Sequence, residues 1–163
     1  MKRYSWKYIA GLVDGEGCID MQASVHPRDG VLYCRPRFRM SLSGKSGEEM
    51  IPQFIANFGG NFDSKDRKFD NPNWLPVFTW CLTGKVAMRK FLQNIVNHTV
   101  IKKEQIKFAI WWLDNMWGKH VALEVKRFGI NELKAMKRDP HRLSERAVSE
   151  IQKLIPLTDA IVG

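Results

Sequence analysis

The sequence has few cysteines and no long apolar run. Its three cysteines, Cys18, Cys34 and Cys81, are odd in number and far apart, which argues against a disulfide framework and a cysteine zinc site. No run is long enough for a membrane-spanning helix, and the basic N-terminal segment lacks the apolar stretch and cleavage site of a signal peptide. We therefore expect reduced thiols in an intracellular protein that is not secreted.

Acidic residues are also scarce relative to basic ones. Lysine and arginine number 26 against 17 acids, which gives a net charge of +9. Such an excess attracts polyanions, so nucleic acid is the leading partner class, with an ordinary basic surface as the alternative. The four histidines lie too far apart in the chain to indicate a zinc site.

The chain of 163 residues shows no change of composition along its length and no low-complexity segment. This length is enough for one sizeable core. We expect a single domain over residues 1–163, with a core from 5 to 117 and a helical tail from 118 to 163.

Alternating residues predict two hairpins. In the first, LYCRPRFRMSLS (32–43) separates into an apolar and a polar face, the run from Ile19 does the same, and the turn residues PRDG (27–30) join them. In the second, NFDSKDRKF and VFTWCL flank a loop with two prolines. Phe62, Phe78, Trp80 and Leu82 are expected to face the core there.

Helical spacing predicts the remaining elements. Apolar residues recur at this spacing over 50–58, 85–96 and 101–117. Just before the first of these stretches, Ser46 and Glu49 resemble a capping box. The tail is expected to form shorter helices interrupted at Gly118, Gly129 and Pro140. With the apolar run at 8–13, the order is αββαββα followed by helices, an α+β fold.

The stretch IAGLVDGEG, Ile9 to Gly17, joins a helix rich in small residues to two acids and two glycines. Gly11 inside a helix costs about 1 kcal/mol relative to alanine, which close helix packing can offset. We expect the helix to stop where Gly15 and Gly17 relax the backbone. A carboxylate beside backbone carbonyls at such an end suits Mg²⁺, although a simple helix cap is the alternative reading of DGEG.

This block resembles the signature of the LAGLIDADG homing endonucleases, and the αββαββα order is also similar to theirs. The resemblance is strongest from Tyr8 to Ile19 and extends to about residue 117. It implies a four-stranded antiparallel DNA-binding saddle followed by C-terminal helices. One copy of the motif implies a homodimer, with Ala10, Gly11 and Asp14 at the interface between the two motif helices.

The resemblance also implies an active site. Glu16 matches the metal-binding acid, and Gly15 matches the position whose carbonyl can ligate the same Mg²⁺, for which Mn²⁺ is expected to substitute. IKKEQIK (101–107) matches a lysine-rich run near the active site, with Lys102 the first candidate and Lys103 the reserve. A solvated lysine is the alternative. Near Ser43 the sequence departs from the glutamine common in the family, so Lys45 is the candidate for positioning water.

The polar strand faces then become candidates for reading DNA, because the major groove admits a two-stranded ribbon. An ordinary solvated sheet face is the alternative interpretation. The predicted DNA-binding residues are Gln22, Ser24, His26, Arg28, Tyr33, Arg35, Arg37, Arg39, Lys65, Arg67 and Thr79.

By resemblance, we expect a metal-dependent endonuclease that binds a long pseudo-palindromic site in double-stranded DNA. It would cut one phosphodiester bond per strand, leave short 3′ overhangs and initiate intron homing. The alternatives on the same fold are an intron RNA maturase and a DNA-binding regulator without catalysis. Intron RNA is therefore a further candidate partner, and the compartment would be an organelle or a prokaryotic cytoplasm.

Overall fold

The computed structural model describes residues 4–25, 27–28, 30–65, 71–119 and 121–159, with side chains described to Ile155. The order of elements is the predicted αββαββα, followed by three more helices. The elements are α1 (Trp6–Glu16), β1 (Gly17–Val25), β2 (Leu32–Ser43), α2 (Gly44–Phe58), β3 (Asn61–Lys65), β4 (Val77–Leu82), α3 (Lys85–Ile95), α4 (Lys103–Asn115), α5 (Leu123–Arg138) and α6 (Ser144–Asp159).

The four strands form one sheet in the order β1-β2-β4-β3. β4 pairs antiparallel with β2 on one side and with β3 on the other. The predicted α+β fold with a four-stranded antiparallel sheet is therefore confirmed.

The chain divides into two compact units. The first unit comprises Met1–Cys18 and Arg37–Thr99, and the second comprises Ile19–Pro36 and Val100–Gly163. Strands β1 and β2 each contribute residues to both units. The expected single domain over 1–163 stays a prediction.

Aromatic side chains form the core of the first unit. The ring of Phe91 lies 5.0 Å from that of Trp80 and 5.1 Å from that of Phe38, measured between centroids. Phe54 stacks on Trp80 at 5.4 Å, and all four of these residues are at most 1% exposed. Such pairs add about 0.5–1.5 kcal/mol each beyond the burial of apolar area.

Two predictions for the first unit are wrong in detail. Ser46 lies inside α2, whose N-cap is Ser43 without a side-chain hydrogen bond, so there is no Ser46 capping box. Phe62 lies opposite Trp80 in the β3–β4 register and so shares its face, yet it is 51% exposed. Its strand is at the edge of the sheet, where all five residues are exposed.

The helices α4, α5 and α6 pack together in the second unit. α5 runs without a break through Gly129, so the predicted interruption there is wrong. A Cβ on Gly129 would lie 2.3 Å from Cζ3 of Trp112. Gly129 is therefore the residue that allows α5 to approach the indole of α4, rather than a helix breaker.

Two carboxylates connect these helices. Glu104 on α4 accepts hydrogen bonds from the backbone N–H of Ser144 at 2.9 Å and from its hydroxyl at 2.7 Å, at the start of α6. Glu132 on α5 accepts two hydrogen bonds of 2.7 Å from the guanidinium of Arg142. The α5–α6 connection is thus tied to both neighbouring helices.

In the part of the chain that the structure describes, no helix combines the length and the apolar character needed to cross a membrane.

Candidate catalytic and DNA-binding residues

Helix α1 ends at Glu16, between the two glycines where the sequence predicts its end. Ser5 caps its start by accepting a hydrogen bond from the N–H of Tyr8 at 3.2 Å. The helix includes Gly15 and Glu16 and is capped by Gly17, whose N–H donates to the carbonyl of Val13. A Cβ on Gly17 would lie 2.6 Å from that carbonyl oxygen, so glycine is required there for close approach. The expectation that Gly15 relaxes the backbone is wrong.

Glu16 and Gly15 are both exposed at this helix end, and outside the adjacent backbone of α1 no atom of the described residues lies within 4 Å of a Cβ built on Gly15. The last carbonyls of a helix lack intrahelical partners and carry partial negative charge. A carboxylate among them attracts a cation.

These residues fit Mg²⁺ better than a metal that needs a cage of protein ligands. Within the described ranges, no group of three or more His, Cys, Asp or Glu side chains is placed to hold a metal ion. Mg²⁺ commonly uses one or two carboxylates and keeps several waters, so Glu16 with the carbonyl of Gly15 is a sufficient protein contribution.

The two first-choice candidate lysines, Lys45 and Lys102, lie in different units. Lys45 is the second residue of α2 in the first unit, and its Nζ lies 3.7 Å from Oε1 of Glu49, with the lysine side chain 86% exposed. An ion pair this exposed contributes little, so it does not fix the lysine in place. Lys102 is the half-buried residue before α4 in the second unit, and its carbonyl accepts from the N–H of Ile106 at 2.9 Å.

The two sides of α1 differ in what they can contact. Ala10 is 0% exposed, as is Val13, so its methyl group has no surface to offer a partner chain. Gly11 and Gly15 are exposed on the opposite side with open space around them, and Asp14 is half-buried at its margin. The side of α1 available to another helix is therefore the Gly11–Gly15 side. Of the three interface residues predicted from the sequence, Gly11 lies on this side and Asp14 at its margin, whereas Ala10 does not.

The polar face of the first hairpin lies in the second unit. Gln22 is half-buried, whereas Ser24, Tyr33 and Arg35 are exposed, and Arg28 is exposed in the turn. The Nε of Arg35 donates to Oε1 of Gln22 at 3.2 Å. This bond holds the guanidinium across the two strands. His26 lies outside the described residues.

An open cleft with a volume of about 500 Å³ lies beside the outer end of this hairpin. Tyr33 and Arg35 both border it, so a ligand has room to approach their side chains. The remaining residues that line it are Ser24, Val25, Pro27, Cys34, Trp117 and Gly118.

The first unit contains the other predicted DNA-binding residues on strands. Arg37 and Arg39 on β2 are half-buried, Thr79 on β4 is half-buried and Lys65 on β3 is exposed. The hydroxyl of Thr79 lies 2.9 Å from that of Ser41 in a hydrogen bond. Arg67 lies outside the described residues.

The strand register identifies further polar residues that lie beside the predicted DNA-binding residues. Ser41, Thr79 and Asp63 lie in one row across three strands, and Arg39, Cys81 and Asn61 lie in the next. Alternation alone already placed Ser41, Asn61 and Asp63 on the polar face. Only the register shows which of them are neighbours of the predicted DNA-binding residues.

Cys34 and Glu104 are among the titratable groups of the second unit whose pKa values are shifted. Burial raises the pKa of Cys34 to about 11, although Lys126 lowers it in part, so the thiol is protonated at neutral pH. Burial also raises the pKa of Glu104, but hydrogen bonds from Lys107 and Ser144 outweigh burial and hold it below the ordinary 4.5. Glu104 is therefore a carboxylate at neutral pH and a strong acceptor for the start of α6.

No protein-family model and no curated protein matches the sequence. Solved structures do match the fold. The homing endonuclease I-CvuI, in complex with the I-CreI target in the presence of Mg, is 17% identical with a TM-score of 0.65, and the match covers 91% of this chain and 93% of I-CvuI. The homing endonuclease I-TnaI is 18% identical with a TM-score of 0.61, over 92% of this chain and 99% of I-TnaI.

The meganuclease I-SmaMI bound to uncleavable DNA is 16% identical with a TM-score of 0.60, but the match covers 85% of this chain and only 45% of I-SmaMI. The match thus takes in less than half of the I-SmaMI chain. At these identities the likeness concerns the fold. The chain therefore has the fold of the LAGLIDADG homing endonucleases, as the block from Ile9 to Gly17 predicts.

Proposed function

We propose that the chain is a sequence-specific, metal-dependent double-strand DNA endonuclease that acts as a homodimer and initiates intron homing. The observation that carries this proposal is the exposed Glu16 carboxylate at the C-terminal end of α1, in a chain with the homing-endonuclease fold. The structures of I-CvuI and I-SmaMI are DNA complexes, which supports DNA as the substrate.

In this proposal Glu16 and the carbonyl of Gly15 bind Mg²⁺ from the protein side. The metal, when bound, supplies positive charge that favours an attacking hydroxide and the leaving oxygen. Lys102 is proposed to stabilise the charge that develops on the scissile phosphate, and Lys45 to position water. Asp14, half-buried in the last turn, is proposed to shape the helix end without taking part in the chemistry.

The homodimer is proposed to form through the exposed Gly11–Gly15 side of α1. Two glycines one turn apart let a second helix approach closely, and the open space around both leaves room for it. The match to I-SmaMI supports a pair, since this chain corresponds to less than half of that one. Each copy would bring one Glu16 to one DNA strand.

The polar face of the sheet is proposed to bind the major groove. Arg35, held by Gln22, is suited to a guanine edge or a phosphate, and the Ser41–Thr79 pair offers donors and acceptors to base edges.

The first experiment tests cutting. The protein is incubated with the joined exon sequence that flanks its gene, in Mg²⁺, in Mn²⁺ and in Ca²⁺, and strand breaks are mapped. We expect one cut per strand in Mg²⁺ or Mn²⁺. Glu16→Gln should abolish cutting with nearly unchanged DNA affinity, whereas Glu48→Gln, which removes an exposed carboxylate from α2, should cut like the wild type.

Binding without cutting in any metal would contradict the endonuclease and favour a DNA-binding regulator. Binding to intron RNA in place of the exon duplex would favour a maturase. Full turnover by Glu16→Gln would place the metal site elsewhere on the chain.

The dimer has its own experiment. Gly11→Leu places a bulky side chain in the open space on α1, so we expect a monomer by sedimentation, with loss of double-strand cutting. Ala56→Leu adds a leucine at an exposed position of α2 and should remain dimeric. A Gly11→Leu protein that is still dimeric would mean that α1 is not the interface.

A further inference from the structure

The outer side of α5 has an unusual charge pattern. Arg127, Lys134 and Arg138 are spaced by seven and four residues, which places them on one side of the helix, and all three are exposed. We call these three residues the α5 stripe. The buried residues of α5 lie on the opposite side and are Val125, Gly129, Glu132, Leu133 and Met136.

The stripe is not neutralised. Among the residues whose side chains the structure describes, none of the three cations of the α5 stripe has a hydrogen-bond or ion-pair partner. The acid in the middle of the same helix, Glu132, faces inward and pairs with Arg142. Between Arg127 and Lys134 on this side lie Ile130, which is half-buried, and Asn131, which is exposed, and both are uncharged.

Helix α6 shows the pattern expected of a helix face that only contacts water. Glu150 and Lys153 form an ion pair of 2.8 Å, and Glu145 is adjacent to Arg146. Mixed signs of this kind stabilise an exposed helix by a few tenths of a kcal/mol per pair. From Arg127 to Arg138, α5 has no exposed acid that could form such a pair, which leaves its cations available to an external anion.

We propose that the α5 stripe is a second, sequence-independent contact surface for the phosphate backbone of duplex DNA. It extends over about 16 Å, since an α-helix rises about 1.5 Å per residue, and the phosphates of one DNA strand recur about every 3.4 Å along the axis of the duplex. Three cations at this spacing complement a row of phosphates, and arginine forms two parallel hydrogen bonds to a phosphate. The surface requires no base contact and no cutting, so it stands independently of the proposed nuclease activity.

The experiment uses the triple variant Arg127→Gln, Lys134→Gln, Arg138→Gln in the full chain. Its matched control is Lys90→Gln, Arg146→Gln, Lys153→Gln, which removes three other exposed cations, so that both proteins change from +9 to +6. The dissociation constant for a short duplex of unrelated sequence is measured between about 50 and 200 mM salt. We expect the stripe variant to lose about two to three units of the salt slope, and the control to keep the wild-type slope.

Equal slopes for the two triple variants would overturn the proposal, because the effect would then come from net charge alone. Vesicles containing an anionic lipid form a second arm. If the stripe variant loses vesicle binding while its DNA slope equals that of the control, the surface contacts membranes and the proposal is wrong. The single variants, each expected to lose about one unit of slope, give the same decision if the triple variant does not fold.

Discussion

The two units of this protein are stabilised in different ways. The first depends on stacked and edge-on aromatic rings around Trp80, whereas the helices of the second combine one very close glycine contact with two carboxylates. One of these accepts hydrogen bonds from the start of α6 and the other from the α5–α6 connection. The burial of apolar side chains does not change with protonation. The hydrogen bonds that a carboxylate accepts, in contrast, weaken when the carboxylate is protonated. We therefore expect the stability of the second unit to respond to acid.

The largest effect is expected from Trp80→Ala, which should lower the free energy of unfolding by about 3–5 kcal/mol because it leaves a cavity among four aromatic rings. Urea denaturation measures this loss. Trp74→Ala is the control, since Trp74 is 42% exposed and Trp80 is fully buried. Equal losses for the two variants would contradict the assignment of Trp80 to the core.

Gly129→Ala is expected to come next. The added methyl group would lie 2.3 Å from Trp112, so α5 must shift, at about 1–3 kcal/mol of unfolding free energy. Urea denaturation measures this change too. A variant as stable as the wild type would show that α5 does not approach α4 this closely.

Glu104→Gln should lower stability at neutral pH by about 1–3 kcal/mol, since hydrogen-bond donors at the start of α6 lose a charged acceptor. The folded pKa of Glu104 lies below its ordinary value, so its contribution is fully present above the unfolded pKa and is lost as the pH falls through the folded pKa. Wild-type stability should therefore decline at acidic pH more steeply than that of Glu104→Gln.

Thermal or urea unfolding measured at a series of pH values makes this comparison. Glu48→Gln is the control, because Glu48 is exposed on α2, and it should follow the wild-type pH profile. A parallel profile for Glu104→Gln would mean that its carboxylate does not carry the acid response.

The smallest effect concerns Gly11→Ala, the same chemical change as Gly129→Ala in a different setting. Apart from the neighbouring backbone of α1, no atom of the described residues lies within 4 Å of a Cβ at Gly11, so alanine should raise the unfolding free energy of the monomer by up to about 1 kcal/mol. The measurement is made at a protein concentration low enough for the monomer to predominate. A loss of stability here would show that α1 is crowded on its outer side.

Much of the fold follows from local patterns. Alternation over 32–43 predicts the strand β2 with its buried and polar faces, because side chains on a strand point to opposite sides. Periodicity also predicts the order of elements, and the block from Ile9 to Gly17 predicts through resemblance that Glu16 is the acid of interest near the end of the first helix. The predictions that failed, at Ser46, Phe62 and Gly129, concern burial or helix limits that depend on residues distant in sequence.

The sequence by itself therefore determined the order of the elements, the two faces of β2 and the position of Glu16 near the end of the first helix, since these depend on periodicity and motif. The tertiary structure decided that Ala10 is buried while Gly11 and Gly15 are open, and that Glu104 bonds to Ser144, forty residues away. It also decided that α5 continues past Gly129. The physical reason is that local periodicity sets which face of an element is apolar, whereas close packing between distant segments sets which atoms meet and which are left exposed.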